Sequence, residues 1–203
     1  MLDINSHDQF VLRQRFKLVI NQYEFSVPEG DSDGTPFCFV EQARWKFKED
    51  IRFFTDETKS EEIMRILARQ RFDPRARYDI TLADGSKLGE IQKVFGKSLF
   101  RSTYTLFDAA GNEVATAREQ SLGKALFRRL VGLIPYVDIV ADWLPIAYDF
   151  EFLRGEEPVG INRRRRFKWI DVYDIDFSAD SEHAVDRRLA IAATVGMDAL
   201  QAR

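Results

Sequence analysis

The sequence predicts a mainly β protein: a closed antiparallel barrel of about twelve strands around a central apolar C-terminal helix. Three observations carry that expectation. Short strands recur in pairs joined by acidic, glycine-bearing turns. Seventeen phenylalanines favour strands with bulky inward side chains. Residues 189–197 run without a charge in a segment that reads as a helix lacking a polar face, which something must wrap. A two-sheet sandwich leaves such a helix nowhere dry. Closing the sheet around it buries it and removes exposed strand edges.

Taken in order, residues 10–20, 23–27, 37–41 and 51–55 read as strands, and Glu29-Gly30-Asp31-Ser32-Asp33-Gly34 as a polar hairpin turn. Thr58 and Glu61 have capping-box spacing, and Ile63, Ile66 and Leu67 recur on one helical face. That pattern predicts a helix from Thr58, stopped by Asp73-Pro74. Three hairpins follow. Residues 77–82 turn at 83–86 and return over 87–95; 102–107 turn at 108–112 and return over 113–119; 148–153 turn at 154–156 and return through 158–161. The last strands are 165–170 and 171–177. A helix across the whole tail, about 20 residues, spans roughly 30 Å. Ala190, Ala192, Ala193 and Gly196 keep it slim enough for a lumen crowded by aromatics, and Asp180 or Ser181 is placed to cap it.

Composition bounds the function. At 203 residues and 23.6 kDa, the chain can form one substantial core. A formal charge of −3 argues against a nucleic-acid binder, though not against a local basic patch. Cys38, the only cysteine, permits no intrachain disulfide and sits in an apolar run that suits a buried thiol. Two histidines, His7 and His183, exclude a histidine-rich metal site. Residues 1–5 have neither a basic nor an apolar leader region, so the expected location is the cytoplasm. The stretch 130–150 contains Pro135, Asp138, Asp142, Pro145 and Asp149, which disqualify it as a membrane span.

Two segments could carry binding. Between strands, Leu122, Ala125, Leu126, Leu130, Leu133 and Ile134 line one face of a helix bordered by Lys124, Arg128 and Arg129. Such a helix packs on the barrel, lies on anionic lipid, or meets a partner protein. The run Arg163-Arg164-Arg165-Arg166, with Lys168, is the densest charge in the chain. Extended, it sends alternate guanidiniums to opposite faces; as a turn, it presents them together to phosphate. It also suits a solvated edge or an acid-paired cluster. Asp174, Asp176, Ser178, Asp180 and Glu182 have the spacing that opens a calcium-binding EF-hand loop. However, Ala179 stands at the glycine position and Val185 at the bidentate glutamate position, so no metal is expected. Catalytic patterns are thin: Ser6-His7-Asp8 are sequence neighbours near the N-terminus, Asp84 and Asp108 are turn residues, and Ser121-Leu122-Gly123-Lys124 lacks the lead of a phosphate loop.

The hairpin phrases RYDITLADGSKLGEI and STYTLFDAAGNEVATARE, the strand DVYDIDF and the terminal AVDRRLAIAATVGMDALQAR resemble the tubby C-terminal-like superfamily. The resemblance is in particular to the group related to LURP-one proteins and phospholipid scramblases. It covers most of the chain from about Tyr23. It implies a twelve-stranded barrel around a hydrophobic helix, and phosphoinositide binding through a basic surface as in tubby-like members. The chain lacks the cysteine-rich palmitoylated segment and membrane-spanning tail associated with scramblases.

The expectation is therefore one domain over 1–203 with a helical insertion at about 121–147. It is a non-enzymatic binding or scaffold domain without cofactor or metal. An anionic phospholipid or phosphate surface is assigned to Arg163, Arg164, Arg165, Arg166, Lys168, Lys124, Arg128 and Arg129, peripheral to the inner membrane face. The alternative is a protein-interaction module that docks through 130–150. No nucleic-acid partner is expected.

Overall fold

The computed structural model describes residues 2–16, 20–43, 50–68, 77–94, 102–120, 149–165 and 170–201. After a 3-10 turn, Ile4–Ser6, come strands β1 (Gln9–Phe16), β2 (Ile20–Ser26), β3 (Pro36–Ala43), β4 (Asp50–Phe54), β5 (Glu62–Ala68) and β6 (Arg77–Leu82). β7 (Lys87–Lys93), β8 (Thr103–Asp108), β9 (Glu113–Glu119), β10 (Phe150–Arg154), β11 (Glu157–Arg164) and β12 (Val172–Asp176) follow, then helix α1 (Arg187–Gln201). Each strand pairs antiparallel with the next, and β1 closes on β12, giving the expected barrel with no free edge.

Period-two alternation sorts the side chains. Phe10 and Leu12 on β1, Tyr23 and Phe25 on β2, and Phe150 and Phe152 on β10 enter the core cluster, and their alternate neighbours face outward. The lumen is filled by α1, whose residues 189–197 are all buried. Backbones approach closely there. A Cβ on Gly196 would lie 3.0 Å from Ile91 Cδ1, and one on Gly160 would lie 2.5 Å from the Phe177 ring. Among the described residues, no helix is long and apolar enough to cross a membrane.

Two local expectations fail. Residues 62–68 form strand β5 and not a helix from Thr58. Lys59 has φ 59°, in the left-handed region, and the Thr58 N–H and hydroxyl both donate to Asp56 Oδ1, so no helix starts there. Phe53 opposes Met64 while Phe54 opposes Glu62, so Ile63 is the extra residue of a bulge. The bulge puts Ile63 and Met64 both inside, and the broken alternation mimics helical spacing. The predicted strand 165–170 is also absent at its described ends, since Arg165 and Ile170 lie outside any strand; residues 166–169 lie outside the described residues. The helical insertion at 121–147 lies wholly outside them too.

The helix cap is a third correction. Asp186, not Asp180 or Ser181, caps α1, with Arg188 N donating to its Oδ1 at 2.9 Å, while Asn5 Oδ1 accepts Arg187 N at 2.8 Å. Asp180 instead accepts Ala184 N and Val185 N and fixes the loop before the helix. Arg187, fully buried, ties these parts together. Its guanidinium donates to Asp180 Oδ2 at 2.7 Å, to Asp8 Oδ1 at 2.6 Å and to Val185 O at 2.8 Å, and lies 5.2 Å from the Phe177 ring centre.

Candidate anion-binding surface

An up-and-down barrel sends alternate connections to opposite rims, and here the two sets of connections differ in charge by sequence. The rim where α1 enters carries residues 2–8, 27–35, 55–61, 83–86, 109–112, 155–156 and 177–186, all described. These contain thirteen Asp and Glu, with Lys59 the one Lys or Arg among them. Connections 17–19, 44–49, 69–76, 94–102, 120–149 and 165–171 join strand ends at the other rim. By sequence they carry fifteen Lys and Arg against six Asp and Glu.

Every residue assigned to anion binding falls on the basic rim or in its connections. Arg163, at the end of β11, is exposed and opposite Asp174 on β12. Arg164 is mostly buried: its guanidinium pairs with Asp171, and its backbone N–H donates to Asp149 Oδ1 at 3.0 Å. Arg165 holds Asp174 in a fork, Nε to both oxygens at 2.9 Å and Nη2 to Oδ1 at 2.6 Å, and reaches Asp33 Oδ1 through Nη1 at 2.5 Å. Those two carboxylates hold the guanidinium in its charged form, first Asp174 and then, against the opposing effect of burial, Asp33. Arg166, Lys168, Lys124, Arg128 and Arg129 lie outside the described residues. Of the three described arginines, Arg163 is thus exposed and open, while Arg164 and Arg165 are acid-paired.

Sequence reasoning missed two members of this surface. Arg13 on β1 gives Asp33 Oδ2 a bond of 2.9 Å, so Asp33 bridges Arg13 and Arg165. Principally the Arg165 bond, which outweighs burial, holds the Asp33 carboxyl below its usual range. Asp33 and Arg165 are 132 positions apart, and only the barrel closure that puts β12 beside β1 brings them together. The acidic hairpin 29–34 was the one available signal.

The remaining motifs are structural. Asp84 and Asp108 bond their own turns, at Ser86 N and Asn112 N. Asp176 accepts Ser178 N, Asp180 is taken by Arg187, Asp174 by Arg165 and Glu182 by Arg154, so the acidic series is spent on a turn, the helix start and ion pairs. At the acidic rim, a depression of about 330 Å³ is lined by Ser6, His7, Asp8, Gln9 and Ser178 among others. The Ser6 hydroxyl donates to the Asp3 carbonyl and Asp8 receives Arg187, so Ser6, His7 and Asp8 form no relay.

No curated protein matches the chain. Among solved structures, a porin-like protein from Bacteroides uniformis ATCC 8492 is similar at 8% identity and a TM-score of 0.23, over 86% of this chain and 96% of that one, a likeness too low to carry any argument. The model of the LURP-one-related family matches residues 37–198, from the third strand through the buried part of the central helix. With a closed twelve-stranded barrel around a C-terminal helix, the chain belongs to the LURP-one-related family of the tubby-like superfamily.

Proposed function

We propose that this domain is a non-enzymatic binding module that docks peripherally on anionic phospholipid through its basic rim. The opposite charge that the sequence gives to the connections at the two ends of the barrel supports the reading. The net charge of −3 opposes it only if all charges count equally, and distance makes them unequal. A strand of seven residues separates the rims by about 20 Å, more than twice the roughly 8 Å Debye length at physiological salt. Apart from Asp33, whose hairpin reaches Arg165, the acidic side chains are therefore screened from an anionic surface beneath the basic rim. Each Lys or Arg held near such a surface contributes about 1 kcal/mol, so a few cations exposed as Arg163 is would suffice for reversible docking.

Flotation with phosphatidylcholine vesicles, with and without phosphatidylserine, tests this. The protein is expected to float only with phosphatidylserine, and less so at high salt. The triple variant Arg163→Ser, Arg166→Ser, Lys168→Ser should lose most of the binding; Arg164 and Arg165 are spared because their ion pairs hold the fold. Equal recovery with both vesicle types, unchanged in the triple variant, would overturn the proposal.

A further inference from the structure

The hairpin 29–34 does more than connect β2 to β3. It lies across the outer face of the barrel closure, where Arg13 opposes Val172 on β12 and Arg165 N donates to Val172 O at 2.8 Å. Arg13 and Arg165 therefore flank Val172, and Asp33 sits between their guanidiniums with one oxygen on each. That is the geometry in which two arginines clamp a phosphate. Beneath it, alternation puts Val11 and Val172 on the outer face of the barrel. They nevertheless have only 2% and 4% exposure, although neither belongs to the lumen core. The hairpin's shape does not depend on this docking. Glu29 and Ser32 exchange both backbone hydrogen bonds at 3.0 Å, Gly34 N donates to Ser32 Oγ, and Gly34 (φ 73°) leaves no room for a Cβ against Val27 O. What ties the hairpin to the two arginines is the carboxylate of Asp33, just past the Glu29–Ser32 bridge.

We propose that Arg13 and Arg165 form a latent oxyanion site that Asp33 occupies as an internal stand-in, so the hairpin holds part of the anion surface closed. The inference deepens the lipid-docking reading and rests on it for the source of the oxyanion. Displacing Asp33 leaves Arg13, Arg163 and Arg165 facing Asp174 and Glu24, beside two outward-facing valines. A phosphate at a membrane surface, charged and bordered by apolar chain, matches that combination. Inorganic phosphate matches the charged part alone.

The test compares wild type with Asp33→Asn, Asp33→Glu and Asp31→Asn. Asp31 is exposed and makes no ion pair among the described residues, so Asp31→Asn removes the same charge from the hairpin without touching the arginines. Binding to phosphatidylcholine vesicles containing phosphatidylserine should strengthen about fivefold in Asp33→Asn, the effect of one added basic charge near an anionic membrane. It should change much less in Asp31→Asn and stay near wild type in Asp33→Glu. A parallel arm measures the rise in melting temperature with inorganic phosphate. A rise specific to Asp33→Asn without a vesicle gain would support the site while overturning the lipid reading. Identical behaviour of Asp33→Asn and Asp31→Asn in both arms overturns the latent site, and wild-type flotation in that case leaves the docking proposal standing.

Discussion

Arg187 is a fully buried cation that joins the start of the central helix to the segments before it and at the N-terminus, and Arg187→Met tests what those bonds contribute. The substitution keeps the unbranched stem but deletes bonds to Asp8, Asp180 and the Val185 carbonyl. It strands the Asp180 carboxylate, whose side chain is 1% exposed. Asp180 would keep only the Ala184 and Val185 N–H groups, at 3.1 and 3.0 Å. Removing one partner of a buried pair costs about 3–5 kcal/mol. For a domain of this size each kcal/mol lowers the melting temperature by about 2–4 °C, so a fall of about 6–20 °C is expected. Thermal melting followed by far-UV circular dichroism at pH 7 measures it. The double variant Asp180→Asn, Arg187→Met should recover part of the loss, because it removes the stranded charge. If Arg187→Met melts within about 2 °C of wild type, an uncertainty-sized change on this scale, the buried arginine does not hold the helix start.

Acid should destabilise the protein in a defined window. Asp33, Asp180 and Asp186 are all held below the usual carboxylate range: Asp33 chiefly by Arg165, and Asp180 and Asp186 because the upward push of burial is overcome by the bonds from Arg187 or Arg188 together with backbone N–H groups. Depressed carboxyls contribute stability that is complete above their unfolded value near 3.9 and is lost as pH falls through the folded one. The melting temperature should therefore hold between pH 7 and 5 and drop below about 4; a flat profile down to pH 3 would contradict these assignments. Gly160→Ala forces a Cβ against Phe177, whose ring cannot retreat because Phe152 lies 4.9 Å away and Arg187 packs on it. A loss of about 1–3 kcal/mol is expected in urea titration, and an unchanged midpoint would show that the ring moves freely. Truncation at Ala184 removes the lumen filling and should abolish the cooperative transition, whereas a soluble fragment that melts sharply would show that the barrel stands empty.

Much of this fold was legible because its signals are local. Acidic-glycine turns mark four hairpins, and the charge-free run 189–197 is a helix that only a closed sheet can wrap. β5 was misread because a bulge at Ile63 destroyed the alternation that identifies a strand, leaving Ile63, Ile66 and Leu67 at helical spacing. The cap was misplaced because Asp180 and Asp186 are equally good capping types, and the choice is made by Asn5 and Asp8, which are far away in the chain. The arginine run was conspicuous, but its pairing was not. Whether Arg164 and Arg165 face solvent depends on Asp171, Asp174 and Asp33, and the last of these reaches Arg165 only once β1 and β12 have met. The division into acidic and basic rims is present in the sequence, yet it becomes readable only when up-and-down topology assigns alternate connections to the same end.

The orientation of the domain on a membrane decides whether the end bearing Ile170 is the docking face. Cys38 is buried, and burial raises its thiol pKa, so an introduced surface cysteine can be labelled alone. An environment-sensitive dye at Ile170→Cys, on the basic rim, should shift to shorter wavelength on vesicles containing phosphatidylserine. The same dye at Ala110→Cys, on the acidic rim, should not respond. Equal responses at the two positions, or a response only at Ala110→Cys, would contradict the account.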